Sequence, residues 1–160
     1  MTTPEWAVLG VGIALLFAAA PWHLGGLLLI RRCQPSRRHH PFGAILMTFW
    51  SLILLHLSEI AAGAAIFAAV LSFPGTGAID GAGGGSRWSE LLVASGTAYA
   101  TLGLSLEGSK GPIRLLAMLH ALGGFLLITW SATFVYSMWS HRFRDDDGRG
   151  RDSADDQARE

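Results

Sequence analysis

Charged side chains are scarce in this sequence, and three long stretches have almost none. Charged residues make up 15% of the chain, while hydrophobic residues make up 51%. Residues 6–30 contain no charge, residues 42–73 contain only Glu59, and residues 113–139 contain only Arg114. A water-soluble domain of 160 residues must cover a large surface with polar groups, so this composition excludes one.

Each apolar stretch is long enough to be a membrane-spanning helix, because about 20 helical residues cross a hydrocarbon core of roughly 30 Å. The sequence therefore predicts an all-α integral membrane protein with three transmembrane helices. We place a leading helix within residues 1–31, an outer helix at residues 42–73 and an inner helix at residues 112–139.

Cysteine and N-terminal basic residues are also scarce. Cys33 is the only cysteine, so no intrachain disulfide is expected. No basic residue precedes the first apolar stretch, and Pro21, Trp22 and His23 interrupt it, which disfavours a cleavable signal peptide. The same stretch lacks the regularly spaced arginines of a voltage sensor.

The arginines that are present indicate the topology. Nine of them lie beside two helix ends, and basic residues in short loops mark the cytosolic face. We therefore expect the N-terminus outside, a basic cytosolic loop at residues 32–41 and a cytosolic C-terminus. The glycine-rich residues 74–88 are expected to form a flexible external loop, and residues 140–160 a disordered tail. The nine residues are Arg31, Arg32, Arg37, Arg38, Arg142, Arg144, Arg149, Arg151 and Arg159.

Residues 89–110 are moderately apolar but too short to cross the membrane and return as two helices. Ser89 is suited to cap a short helix that runs to about Tyr99 or Ala100, with extended residues after it. Such a re-entrant segment requires that protein bury the non-helical backbone or that the backbone line a water-filled path. A short amphipathic helix lying among the lipid headgroups fits the periodicity equally well.

Four short motifs follow one another along the chain. His23 and Gly25 form a His-x-Gly, and His56 and Glu59 form a His-x-x-Glu. The run 95–106 reads SGTAYATLGLSL, and a Gly-x-x-x-x-x-Trp-Ser begins at Gly124. In this order they resemble the motifs of small bacterial potassium channel family proteins, whose pore loop reads Ser-x-x-Thr-Tyr-Thr-Thr-Leu-Gly-Tyr-Gly-Asp. The resemblance covers most of residues 20–140 and makes residues 42–139 a pore module.

The resemblance implies a homotetramer in a bacterial inner membrane, because one pore loop for each chain cannot enclose an axial pore. The partners are then further copies of the chain and the lipid bilayer, with no nucleic acid and no cofactor other than bound K⁺ or Na⁺. The backbone of a filter-like segment would line the pore, namely Thr101, Leu102, Gly103, Leu104 and Ser105. The side chains that would support it are His56, Glu59, Tyr99, His120 and Trp130, and an inner-helix hinge would lie at Gly123 and Gly124.

The chain departs from the family pattern within the filter and beside it. The Tyr, Gly and Asp of the family signature are replaced by Leu104, Ser105 and Leu106. Glycine in such a filter lets successive carbonyls point inward, and Ser105 disfavours that conformation. In the inner helix the family has Glu where His120 stands and Asn where Gly123 stands. We therefore expect a pore-loop ion channel subunit that passes monovalent cations with weakened potassium selectivity, or a non-conducting scaffold or accessory subunit with the same fold.

The polar residues of the apolar stretches allow more than one interpretation. His56 precedes Glu59 by three residues, on the same helix face, and together they either brace the pore helix or handle protons or ions. His23, His56 and His120 also raise the hypothesis of a haem-binding bundle, although their expected depths differ. The sequence contains no set of residues that predicts a metal site, a nucleophile with its base or a phosphate-binding loop, so no enzymatic activity is expected.

Overall fold

Long runs of leucine, isoleucine, alanine and phenylalanine give this chain long helices, which satisfy their own backbone hydrogen bonds. In the computed structural model, residues 2–33, 41–79, 88–100 and 109–157 are described. Helix α1 is Thr3–Cys33, helix α2 is Pro41–Leu71, helix α3 is Trp88–Tyr99 and helix α4 is Ile113–Gln157. The protein is thus nearly all helical, and α1, α2 and α4 are each long and apolar enough to cross a membrane.

A two-stranded sheet joins the end of α2 to the start of α4. Strand β1, Ala78–Ile79, pairs antiparallel with strand β2, Ser109–Lys110. The strands approach so closely at Gly77, which has φ of +114°, that a Cβ there would meet the carbonyl oxygen of Lys110. The loop before β1 also caps α4, because the amide of Ile113 donates to the carbonyl of Thr76 at 2.8 Å.

The apolar core lies around the first half of α3. Leu91 and Ala94 of α3 pack in one buried cluster with side chains from the last turns of α2 and the first turns of α4. Helix α1 contributes to it through its first turns. Burial of these aliphatic and aromatic groups fixes α3 between the two longer helices. The remaining buried members of the cluster are Val8, Ala64, Phe67, Val70, Ile79, Ile113, Leu116 and Ala117.

Much of the apolar surface remains uncovered within one chain. Only 17% of the most apolar part of α1 is buried. Phe17 of α1 is 74% exposed and Leu54 of α2 is 67% exposed. Apolar surface of this extent marks contact with lipid or with another protein chain.

The chain divides into two compact units, Met1–Leu127 and Ile128–Glu160. The first contains α1, α2, α3, the sheet and the beginning of α4, and the second contains the rest of α4. In the second unit the hydroxyl of Thr133 donates to the carbonyl of Thr129 in the same helix at 3.1 Å. Composition predicted a disordered tail from residue 140, whereas the structure continues the helix to Gln157. No proline follows Pro112, so no residue of this segment lacks the amide hydrogen that a helix requires.

Candidate functional site

One carboxylate is buried near the middle of α2. Glu59 is only 5% exposed. Its Oε1 lies 2.8 Å from Nδ1 of His23, and its Oε2 lies 3.1 Å from Nδ1 of His56. The hydroxyl of Tyr99 donates to the same Oε2 at 2.5 Å. Because a carboxylate only accepts hydrogen bonds, each imidazole Nδ1 carries the donated hydrogen. These four residues are called the Glu59 cluster below.

The Glu59 cluster joins three helices. His56 stands one turn before Glu59 on α2, His23 comes from α1 and Tyr99 is the last residue of α3. The phenol oxygen of Tyr99 also lies 2.8 Å from Nδ1 of His56. Because an ionised carboxylate can only accept, the Tyr99 hydroxyl is the donor in its contact with Glu59.

A second hydrogen bond between α1 and α2 lies next to the cluster. The indole Nε1 of Trp22 donates to the hydroxyl of Ser58 at 3.2 Å. Because Trp22 and Ser58 precede His23 and Glu59 in sequence, two consecutive polar pairs hold α1 against α2 at this level. Both pairs fix the rotation of α1 about its own axis.

A second polar contact holds α3 between α2 and α4. The hydroxyl of Ser95 donates to the carbonyl of Ile60 at 2.8 Å and lies 2.9 Å from Nε2 of His120, from which it accepts. Gly63 makes room for this contact, since a Cβ there would lie 2.5 Å from Nε2 of His120. The His120 ring also lies 5.6 Å from the ring of Tyr99, so the two polar contacts adjoin.

The end of α3 touches the backbone of α4. A Cβ on Gly124 would meet the carbonyl oxygen of Tyr99, whereas a Cβ on Gly123 would meet only Cδ1 of Leu16, at 3.2 Å. Gly124 is therefore required for close packing of α4 on α3. A hinge at Gly123 and Gly124 stays a prediction, since α4 is one continuous helix through both residues.

A cavity of about 160 Å³ borders the same groups. Glu59, Tyr99 and His120 line it together with mostly aliphatic side chains, and its wall is almost entirely apolar. The cavity therefore adjoins residues of the Glu59 cluster but presents an apolar surface.

Most of the predicted supporting residues lie together in the structure. His56, Glu59, Tyr99 and His120 form one neighbourhood through the contacts above. Trp130 belongs to the second unit and is 40% exposed. The filter-like residues Thr101, Leu102, Gly103, Leu104 and Ser105 lie outside the described residues.

Sequence reasoning did not assign His23 and Ser95 to the site. The histidines were expected at different depths, yet the rings of His23 and His56 lie 5.5 Å apart. Counting residues from the ends of an apolar stretch fixes depth only to about one or two turns, or roughly 5–10 Å. A signal for His23 was available, because a histidine inside an apolar helix needs a polar partner.

Comparison with known proteins found no matching protein-family model, no matching curated protein and no matching solved structure.

Proposed function

We propose that the chain is a subunit of a pore-loop ion channel that assembles as a homotetramer and passes monovalent cations. The observation that carries the proposal is the course of α3 along its two neighbours. Its first half packs on Phe67 and Val70, close to the end of α2. Its last residue, Tyr99, contacts Glu59, close to the middle of α2.

A helix with this course runs inward through about half the depth of the spanning helices. The competing arrangement, a helix lying flat among the headgroups, would contact α2 at one level only. The polar contacts of Ser95 and Tyr99 with α2 also favour a buried helix over a surface one, because neither side chain is left to water. The geometry thus supports the re-entrant interpretation of residues 89–110.

The carbonyl end of α3 accounts for the preference of the proposed pore for cations. The last carbonyls of a helix carry a partial negative charge, which favours a cation beyond them. The next residues along the chain, 101–105, are those that resemble a selectivity filter. Four copies around an axis would provide rings of backbone carbonyls that replace the hydration shell of an ion.

A second candidate function is a membrane scaffold or accessory subunit that does not conduct. It is favoured by the replacement of the family's Tyr, Gly and Asp by Leu104, Ser105 and Leu106. The same packing of α3 serves either function, so conduction must be measured.

The test is cation flux through the purified chain in liposomes. We expect a current carried by K⁺ and Na⁺ with a reversal potential that separates the two ions weakly. The triple variant L104Y/S105G/L106D restores the family signature and is expected to shift the reversal potential towards that of K⁺. An intact tetramer that gives no current in either form contradicts the channel proposal and leaves the scaffold function.

A further inference from the structure

Several metal-ligating atoms converge in the Glu59 cluster. One ring nitrogen each of His23 and His56 and one carboxylate oxygen of Glu59 all lie within 4.8 Å of one another. The phenol oxygen of Tyr99 lies beside them, 2.8 Å from Nδ1 of His56. His23 comes from α1, His56 and Glu59 from α2 and Tyr99 from α3, so only the folded chain brings them together.

We propose that His23, His56 and Glu59 bind one divalent transition-metal ion of the zinc type. Two imidazole nitrogens and one carboxylate oxygen are a ligand set that zinc accepts, with a further position left open. Imidazole also suits copper, iron and nickel, whereas Mg²⁺ and Ca²⁺ prefer sites made of oxygen alone. The site is independent of the proposed conduction, since the three ligands lie outside the filter-like segment.

The distances suit a metal after the side chains shift. With bonds of about 2.0–2.1 Å, the donor atoms of a tetrahedral zinc site lie roughly 3.3 Å apart. The two histidines contact different oxygens of Glu59, at 2.8 and 3.1 Å, and the three donor atoms all lie within 4.8 Å of one another. The donors that lie furthest apart must therefore approach by up to about 1.5 Å. Binding also requires each imidazole to move its hydrogen from Nδ1 to Nε2, which leaves the Nδ1 lone pair for the metal.

The negative charge of Glu59 also favours a bound metal. An ionised carboxylate in an apolar helix is destabilised unless an opposite charge or several donors accompany it. In the described part of the chain the partners of Glu59 are two imidazoles and a phenol, without lysine or arginine. A divalent cation bound there would add an opposite charge beside the carboxylate, which stabilises it more than hydrogen bonds alone. Tyr99 then lies beside the metal and orients the carboxylate, as second-layer groups do in metal sites.

The neighbourhood is held in place before any metal binds. The Trp22 to Ser58 hydrogen bond fixes α1 beside the ligands, and Tyr99 is buried at the end of α3. The alternative is a cluster held by hydrogen bonds alone, and a binding experiment separates the two.

The experiment is metal titration of the full-length chain in detergent after treatment with a chelator. Every sample carries the substitutions His39→Ala and His40→Ala. They remove an adjacent pair of histidines that could bind metal elsewhere in the chain. Zn²⁺ is measured by competition with a chromophoric chelator, and Co²⁺ by its visible d–d absorption. We expect one metal for each chain and intense Co²⁺ bands typical of tetrahedral coordination.

Variants identify the ligands. His23→Gln, His56→Gln and Glu59→Gln are each expected to weaken binding at least about tenfold. His120→Gln is the matched control, because His120 is also a buried histidine but bonds Ser95 instead. It is expected to bind metal like the parent. Circular dichroism and the elution volume of each variant establish that it is folded.

Two results overturn the proposal. One is the absence of stoichiometric Zn²⁺ and Co²⁺ binding to the folded chain, which leaves a hydrogen-bonded cluster only. The other is binding that survives both His23→Gln and Glu59→Gln. Should these variants unfold, X-ray absorption on the zinc-loaded parent decides, since a spectrum without imidazole scattering excludes the site.

Discussion

At the scale of single residues, Glu59 shows how a carboxylate is accommodated between apolar helices. Three donors from three helices converge on its two oxygens. Within the described residues, every buried side-chain nitrogen and oxygen has a hydrogen-bond partner. The cluster therefore stabilises the chain only while all its members are present. If one member is removed, its buried partner has neither a hydrogen bond within the protein nor one to water.

Glu59→Gln is expected to destabilise the protein by about 2–3 kcal/mol, because the amide presents hydrogens to donors that need an acceptor. Thermal unfolding of the detergent-solubilised chain measures the change. Glu90→Gln is the control and makes the same substitution in the first turn of α3. It removes the favourable interaction of the carboxylate with the helix dipole, which contributes about 0.3–1 kcal/mol to stability. Equal unfolding temperatures for the two variants would contradict the account of Glu59.

The two neighbouring glycines of α4 give a second prediction at this scale. Gly124→Ala places a Cβ against the Tyr99 backbone, which cannot move without displacing α3. We expect a loss of at least about 2 kcal/mol. Gly123→Ala meets only the end of the Leu16 side chain, and the gain in helix propensity of about 1 kcal/mol makes it neutral or stabilising.

The measurement is again the unfolding temperature, with each glycine serving as the control for the other. A stable Gly124→Ala variant would show that the close contact with Tyr99 is not needed. A change in channel gating in Gly123→Ala, without a change in stability, would support the hinge that the sequence predicts.

Some of the contacts between individual residues could be predicted from the sequence, and others could not. The pairing of His56 with Glu59 was predictable, since residues three apart on a helix lie on one face. The pairing of His23 with Glu59 was not, because it depends on the rotation and depth of α1 relative to α2. The role of Gly63 could not be predicted either, because the absence of a Cβ there leaves room for the contact between His120 and Ser95.

At the scale of elements, α3 is the informative one. Its extent was predicted to within about one residue from Ser89 and Tyr99, and the structure begins it at Trp88. Its environment was not predictable from periodicity, because an amphipathic surface helix and a re-entrant helix carry the same pattern. The contacts that support the re-entrant interpretation are with residues far away in sequence, namely Ile60 and His120.

Removal of the Ser95 hydroxyl is expected to loosen α3. Ser95→Ala loses hydrogen bonds to both α2 and α4 and leaves His120 without its partner, at a cost of about 1–3 kcal/mol. Thr97→Val is the control, because the Thr97 hydroxyl bonds only to carbonyls of its own helix. Hydrogen exchange of residues 88–100 is the measurement.

We expect faster exchange across α3 in Ser95→Ala and exchange close to that of the parent in Thr97→Val. Similar exchange in both variants would mean that apolar packing of Leu91 and Ala94 holds α3 without help from Ser95. The result bears on the proposed function, because that proposal relies on α3 to hold the filter-like segment that follows it in the sequence.

At the scale of the whole molecule, the three long helices were predictable because long uncharged stretches have few alternatives to a membrane. The surface they leave uncovered is as informative as the core. Most of α1 and one side of α2 remain exposed within a single chain, including Phe17 and Leu54. Lipid covers such surface in a monomer, whereas both lipid and neighbouring chains cover it in an oligomer.

The proposed channel requires four chains, and this is the prediction that applies to the assembled protein. Native mass spectrometry of the full-length chain in detergent is expected to give a mass of four copies, because rings of carbonyls close around an axis only when each chain supplies one loop. Gly124→Ala should lower the tetramer fraction, because it displaces α3 and the segment that follows it. Gly123→Ala should not. A protein that is monomeric under conditions in which it also supports cation flux would contradict the tetrameric pore, since a single chain contributes only one loop.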